Sequence, residues 1–153
     1  MLDLERSSAT AARWTEQQYH QLFANGVAER LALVAEMPFA ANHEAAKYDP
    51  AEPPAGPSLL GFLIAHHIPP EWELENIVVA SSARRRGVGN RLLHALLAAA
   101  RETNSHAVFL EVRESNAAAR TLYEKAGFKP AGRRKSYYTN PLEGAVLYRL
   151  TLP

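Results

Sequence analysis

The chain has 153 residues, 47% of them hydrophobic, a length and composition typical of one folded domain with a packed core. Its 17 basic residues nearly balance its 16 acidic ones, which excludes a generally basic surface for nucleic acid. It has no cysteine, which excludes disulfides, cysteine metal sites and an acyl-cysteine intermediate. Because no signal peptide or membrane-spanning run stands out, we expect a single soluble, cytoplasmic domain over 1–153 that contacts no membrane and no nucleic acid directly.

Helical and extended patterns alternate through the first half of the chain. Thr15 and Gln18 have the spacing of a capping box at a helix start, and the proline-rich stretch 38–57 is predicted to be a surface loop. The predicted elements of this half, in order, are helices over 2–9 and 14–23 and strands over 30–37, 59–66 and 71–80. The three strands suit an antiparallel meander.

The second half alternates strand and helix. An apolar stripe from Leu92 to Ala100 predicts a helix that ends near Thr103, and a strand follows over 107–113. Ser115 or Asn116 is predicted to cap a further helix, and Gly127 is predicted to end it. The apolar stripe of this helix consists of Ala118, Leu122, Tyr123 and Ala126. Strands over 128–132 and 145–152, joined by a loop, complete the pattern. This order predicts an α/β fold with a mixed sheet and helices on both faces.

The loop between strand 71–80 and the next helix contains Arg84, Gly87 and Gly89. Amide groups at a helix start bind phosphate oxygens, and glycine lets the backbone approach them closely. A dinucleotide fingerprint needs a third glycine where Leu92 stands, and a P-loop needs a Lys-Ser/Thr pair that is absent. The residues alone leave two interpretations open, a phosphate-binding loop and a solvated run of arginines.

Several segments together resemble the acetyl-CoA-dependent N-acetyltransferases of the GNAT superfamily. They are the Arg84–Gly89 loop, LEVRESNAAARTLYEKAGF over 110–128 and RRKSYY over 133–138. Among its branches the chain is most similar to the RimI-like one, the ribosomal-protein-alanine N-acetyltransferases, and WTEQQY over 14–19 resembles the substrate-side helix there. The resemblance implies a mixed, mostly antiparallel sheet flanked by helices. It also implies direct transfer of acetyl from acetyl-CoA to a protein N-terminal α-amine, with a ribosomal protein as one candidate acceptor.

The chain departs from that branch in three places. The usual strand before the first helix is missing, which leaves a sheet edge that a homodimer would cover. The late hairpin has Glu143-Gly144 where the branch has Glu-Asp, and the proline-rich stretch 38–57 is longer than expected between these strands. These differences concern the acceptor more than the acetyl-CoA site.

The resemblance also implies roles for individual residues. Glu111 occupies the position of the family's general base, and Tyr123 occupies the position of the acid that protonates the CoA sulfur. Glu73 and Glu75 are rival candidates for the base. Tyr138 and Glu75 are expected to bind the acceptor. The residues assigned to acetyl-CoA are Ile77, Val78, Val79, Arg84, Arg85, Arg86, Gly87, Val88, Gly89, Asn90 and Asn116. No metal is expected, because the adjacent strand residues His66 and His67 point to opposite faces.

Simpler interpretations of the same residues stay open. Strand alternation puts Glu111 on the face opposite Leu110, where an ion pair with Arg113 or a cross-strand ion pair would explain it. Periodicity alone makes Tyr123 a core aromatic. At the level of function, the alternatives are a small-molecule amine or a lysine side chain as the acceptor, or a non-catalytic module that binds acyl-CoA or RNA.

Overall fold

The computed structural model describes residues 1–6, 14–22, 30–37 and 58–153. Its helices are α1 (Leu2–Arg6), α2 (Glu16–Leu22), α3 (Val88–Glu102) and α4 (Ala117–Lys125), and a short 3-10 turn spans Ser81–Ala83. Its strands are β1 (Arg30–Met37), β2 (Ser58–Ile68), β3 (Glu71–Val79), β4 (Ala107–Arg113), β5 (Lys129–Thr139) and β6 (Leu142–Thr151). No helix within the described ranges is long and apolar enough to cross a bilayer.

The strands form one six-stranded sheet in the order β1-β2-β3-β4-β6-β5. All neighbours are antiparallel except β3 and β4, which run parallel. This parallel pairing joins 71–74 to 107–110 and then stops, so β3 and β4 separate beyond Leu74 and Leu110. The sheet therefore contains a wedge-shaped opening between its two central strands.

A β-bulge lies where this opening begins. On β2, the neighbours Ile64 and Ala65 face Asn76 and Leu74 of β3, so Glu75 is the extra residue. The bulge reverses the faces of β3: Leu74 packs into the core under α3, whereas Val78 packs with Tyr19 of α2 on the other face. Bulges of this kind re-aim side chains, and this one does so beside the opening.

Helix α3 packs on one face of the sheet through the apolar stripe that the sequence predicts. The stripe and its partners exclude water, which is the main stabilisation of such a layer. Helices α1 and α2 cover part of the opposite face, where Tyr19 packs against Phe62. The predicted mixed sheet with helices on both faces is confirmed.

Local signals at the helix ends behave as predicted. Thr15 and Gln18 form a reciprocal capping box on α2, with N–H to side-chain oxygen distances of 2.7 and 3.3 Å. The Asn116 side chain accepts from the Ala119 N–H at 3.2 Å and caps α4. Gly127, with φ of 98°, ends α4 in the left-handed conformation.

The structure differs from the sequence-based predictions at other points. The connection predicted over 133–144 is mostly strand, because β5 runs to Thr139 and β6 begins at Leu142. Ala118 is exposed, and Ala119 takes its place on the inner stripe of α4. The ends of the two predicted N-terminal helices, 7–9 and 23, and the predicted loop 38–57 lie outside the described residues.

Candidate active site

A cavity of about 250 Å³ occupies the opening between β3 and β4. It is lined by residues 73–77 of β3, 111–113 of β4, Asn116, Ala119 and Tyr123 at α4, and Tyr137 and Tyr138 of β5. The structure therefore brings together, in one cavity, the side chains that the sequence assigns to the base, the acid and the acceptor contact. Among the described residues, no group of histidine and acidic side chains is arranged to hold a metal.

Glu111 faces the cavity from β4 and is anchored by the β5 strand. Its side chain is 16% exposed, and its Oε1 lies 2.8 Å from the Nε of Arg134. A hydrogen bond to Glu111 is the largest cause that raises the pKa of Tyr137, and burial adds to it. The ion pair predicted between Glu111 and Arg113 is wrong, whereas the alternative of a cross-strand pair is right.

Two further carboxylates lie on the β3 wall of the cavity. Glu75, on the bulge, forms a two-point ion pair with Arg30 of β1, at 3.0 and 3.1 Å. Glu73 has a raised pKa, first because burial disfavours its charge and then because the carboxylates of Glu75 and Glu111 are near. The cavity thus contains a cluster of acidic groups of which Glu73 has no ion-pair partner among the described residues.

Tyr123 faces the cavity from the α4 side. Its ring is 5% exposed and lies between Phe128 and Tyr148, with centroid distances of 6.0 and 6.1 Å. Burial raises the pKa of its hydroxyl, so the phenol stays protonated at neutral pH. The interpretation of Tyr123 as a core aromatic is confirmed, and the same side chain also lines the cavity, while its role as the acid stays a prediction.

Helix α4 is held to the sheet by a polar contact next to Tyr123. The buried Tyr148 hydroxyl of β6 donates to Glu124 at 2.5 Å and accepts from the Nε of Arg120 at 3.3 Å. Glu124 follows Tyr123 directly on α4, so this contact restricts how the Tyr123 ring sits above β6. The sequence analysis did not single out Tyr148, because its partners are distant in the chain.

Tyr138 closes the cavity on the hairpin side. The Arg113 guanidinium lies 4.0 Å from the centre of its ring, and the same side chain pairs with Glu143 at 2.6 Å. Arg113 holds the pKa of Glu143 below its usual range, and Ser115 adds to this effect. Glu143, which directly precedes the departure at Gly144, therefore stabilises the tip of the β5–β6 hairpin. A break in register between Arg134 and Tyr138, with Ser136 at φ of 50°, shapes this wall.

The Arg84–Asn90 segment lies outside the cavity, at the end of β3. Arg84, Arg85 and Arg86 are exposed, and the Nε of Arg84 donates to the Val79 carbonyl at 3.3 Å. Gly87, with φ of 80°, stands at the N-cap of α3 and supplies no side-chain cap. The first amides of α3 are left without a capping side chain, which is the arrangement that binds anions.

Only part of the assigned acetyl-CoA set lines the cavity itself. Ile77 and Asn116 do so, whereas the other assigned residues do not. Val78 and Val88 have buried side chains that pack in the core, so any contact they make with a ligand uses their backbone. The contacts of Arg30, Arg134 and Tyr137 were not predicted, although Arg134 and Tyr137 belong to the basic and tyrosine-rich RRKSYY segment.

The chain belongs to the Acetyltransferase (GNAT) family, whose sequence model matches residues 5–128. Within this family it is similar to the ribosomal protein bS18-alanine N-acetyltransferase of Haemophilus influenzae, with 40% identity over 86 residues, 56% of this chain and 58% of that enzyme. It is also 46% identical over 83 residues, or 54% of this chain, to an uncharacterized protein of Mycobacterium leprae, ML0378, of which it covers 22%. The chain therefore spans less than two thirds of the length of either relative.

A solved structure extends the similarity to nearly the whole chain. The crystal structure of the ribosomal-protein-S18-alanine N-acetyltransferase from Escherichia coli has a TM-score of 0.72 and 27% identity, and the match covers 98% of this chain and 84% of that one. The predicted resemblance to the GNAT superfamily and to its RimI-like branch is confirmed.

Proposed function

We propose that this chain is an acetyl-CoA-dependent N-acetyltransferase that transfers acetyl directly to the α-amine of a protein N-terminus, with a ribosomal protein as the acceptor. The proposal extends to the organisation of the chain, with residues 1–153 as one cytoplasmic domain. The observation that carries it is the presence of Glu111 and Tyr123 in one cavity between the separated halves of β3 and β4. The names of the Haemophilus influenzae and Escherichia coli relatives support the choice of acceptor.

In this proposal, acetyl-CoA is bound mainly by backbone groups. Beyond Leu74, the edge of β3 that faces β4 pairs with no strand among the described residues, so its peptide groups from Glu75 to Val79 can bind the pantetheine amides as an added strand would. The uncapped start of α3, after Gly87, would bind the pyrophosphate. Asn116, at the start of α4 and on the cavity wall, would add a side-chain contact to acetyl-CoA.

The two proposed catalytic groups approach from opposite faces of the sheet. Leu110 and Val112 pack with Tyr123 in the core under α3 and α4, so Glu111 between them projects to the other face. Glu111 would take a proton from the acceptor amine, through water, while Tyr123 would give one to the departing sulfur. A protein α-amine, with a pKa of about 8, needs only a modest base for this step.

An assay of acceptors tests the proposal. The protein is incubated with acetyl-CoA and three amine classes: peptides that begin with the bS18 N-terminus, lysine peptides with blocked N-termini, and polyamines. We expect the N-terminal peptides to have the highest kcat/KM. The acidic cluster of Glu73, Glu75 and Glu111 also suits a cationic small amine or a lysine side chain, and a higher kcat/KM for those would establish this second candidate instead.

A separate measurement addresses the non-catalytic alternative. If the chain is an RNA-binding module, labelled RNA binds tightly and acetyl-CoA does not compete for it. We expect weak RNA binding, because the net charge is +1 and the described arginines at the cavity are ion-paired. Tight binding without acetylation of any amine would contradict the proposed enzyme.

Gly89 is expected to matter more for CoA binding than the neighbouring arginine charges. A Cβ at Gly89 would lie 3.3 Å from Leu122 Cδ2 and 3.5 Å from Val79 Cγ2, so a valine there would push the start of α3 away from β3 and α4. Arg85 is exposed, and a surface charge contributes little. By calorimetry, we expect Gly89→Val to raise the Kd for CoA about tenfold or more, and Arg85→Ala to raise it less than about threefold. The reverse order would mean that charge, rather than the shape of the loop, dominates the binding.

The outer edge of β1 is the surface where we propose the homodimer contact. Within the described ranges, no strand pairs with this edge, and Val34 and Met37 on β1 are 54% and 43% exposed. Edge strands of this kind pair readily with another chain. Analytical ultracentrifugation of the protein and of Val34→Lys tests the proposal, because a lysine at the edge should shift a dimer toward monomer.

A further inference from the structure

Glu5 of α1 is a buried carboxylate that the proposed reaction does not use. It is 1% exposed, and no described lysine, arginine or histidine forms an ion pair with it. Both of its oxygens accept from the Trp14 N–H, each at 3.1 Å, and its Oε1 also accepts from the Asn76 side-chain amide at 2.8 Å. Burying a carboxylate whose described donors are all neutral is costly, so this position calls for an explanation beyond packing.

The partner of Glu5 connects it to the cavity. Asn76 is 5% exposed, lines the cavity and follows the bulge residue Glu75 directly. On its other side stands Ile77, whose backbone belongs to the stretch proposed to bind pantetheine. The Glu5 carboxylate thus joins α1, the backbone just before α2 and the bulged part of β3 through hydrogen bonds to a single group.

The chemistry of this junction favours a group that only accepts. Oε1 accepts from both the Trp14 N–H and the Asn76 Nδ2, and Oε2 also lies 3.1 Å from the Trp14 nitrogen, so an amide that kept its oxygen at the first position would set its own N–H donor against the Trp14 N–H. The pKa of the neighbouring Tyr19 hydroxyl is raised, first by burial and then by the charge of Glu5, so this phenol stays neutral beside the carboxylate. Glu5 and Asn76 are therefore the polar pair that ties the N-terminal helices to β3.

We propose that Glu5 is a positioning residue for the acceptor: by holding Asn76, it fixes the bulged segment of β3 that forms one wall of the acceptor side of the cavity. Glu5 touches neither substrate in this role. The inference rests on the proposed function, because an acceptor amine must bind beside Glu111, on the face of the sheet where α1 and α2 also lie.

The variant Glu5→Gln keeps the size of the side chain but turns one acceptor into a donor. We expect kcat/KM for an N-terminal peptide to fall by about tenfold or more, because the introduced amide sets a buried N–H donor against the Trp14 N–H and the β3 bulge shifts. The KM for acetyl-CoA should rise less than the kcat/KM for the peptide falls, because the proposed pyrophosphate site at the start of α3 stays intact even where the pantetheine stretch borders the shifted bulge. Asp3→Asn, which changes an exposed carboxylate on the same helix, is the matched control and should leave both constants unchanged.

A reversed pair separates positioning from simple loss of stability. Asn76→Asp alone places a second carboxylate against Glu5 and should also weaken the acceptor reaction. Combined with Glu5→Gln, it restores the match, because the amide introduced on α1 donates to the new carboxylate while its oxygen still accepts from the Trp14 N–H. We expect the double variant to recover at least about a third of the wild-type kcat/KM for the peptide, well above either single variant.

The possible results separate the inference from its alternatives. All constants are measured well below the unfolding midpoint of each variant, and Asn76→Ser replaces Glu5→Gln if the latter does not fold. Equal losses for peptide and acetyl-CoA, unchanged constants with a lowered unfolding midpoint, or no recovery in the reversed pair would each overturn the inference. An active wild-type enzyme with an unaffected Glu5→Gln variant contradicts the inference alone, whereas a wild-type protein that acetylates no amine contradicts the proposed function as well.

Discussion

Replacing Glu111 with glutamine is expected to lower kcat for an N-terminal peptide by about 10²- to 10⁴-fold, the usual effect of losing a general base. Glutamine keeps the shape of the side chain and a hydrogen bond to Arg134, but its amide cannot take a proton from the amine. The carboxylate is well placed for that task, since it lies in the cavity and is 16% exposed, within reach of water. Steady-state rates at saturating acetyl-CoA measure the effect.

The matched control for this variant is Arg134→Ala. If Glu111 serves only to hold β5 through its ion pair, removing either partner should cost the same activity. Arg134 is 55% exposed at the cavity rim, so its loss should change stability little. We expect Arg134→Ala to keep kcat within about tenfold of the wild type, because the Glu111 carboxylate stays in the cavity and can still take a proton. Equal losses in the two variants would remove Glu111 from the role of base.

The rival bases on β3 are tested in the same assay. Glu75 is held in a two-point ion pair with Arg30, so both of its oxygens are engaged on the β1 side. Glu73 has a raised pKa and no ion-pair partner among the described residues, so it is the stronger rival. A greater loss of kcat in Glu73→Gln than in Glu111→Gln would transfer the role to Glu73.

Features encoded in neighbouring residues could be predicted from the sequence. The capping box of Thr15 and Gln18, the cap at Asn116 and the left-handed Gly127 all depend on groups within a few positions of each other. Strand alternation placed Glu111 opposite Leu110 for the same reason. Glu111, Tyr123 and Tyr138 fall in one cavity, but their chemical roles stay predictions.

Features that depend on pairing between distant segments could not be predicted. The stretch 133–139 is polar and tyrosine-rich, which suggests a loop, yet pairing with β6 makes it a strand. The bulge at Glu75 arises from the register between β2 and β3, which no local pattern encodes. The Glu5–Asn76 contact joins residues 71 positions apart, and nothing about either residue type suggests the other.

Replacing Tyr123 with phenylalanine is the second variant with a large expected effect. Phenylalanine preserves the packing of the ring between Phe128 and Tyr148, so the unfolding midpoint should change little, while kcat should fall by about 10²-fold or more through loss of the proton donor. Tyr137→Phe, which removes a more exposed cavity hydroxyl, is the control and should cost less than about tenfold.

The pH dependence of kcat tests independently whether Tyr123 acts as the acid. An acid works only while it is protonated, and burial raises the pKa of this phenol, so its activity should be lost only above the ordinary phenol value of about 10. We therefore expect the wild-type kcat to stay level on the alkaline side up to about pH 10. A decline of kcat at lower pH that Tyr123→Phe abolishes would show that the Tyr123 hydroxyl titrates as it would in water. The buried, desolvated environment assigned to this acid would then be wrong. A level profile combined with an inactive Tyr123→Phe would identify a buried, protonated phenol as the donor to the departing thiolate.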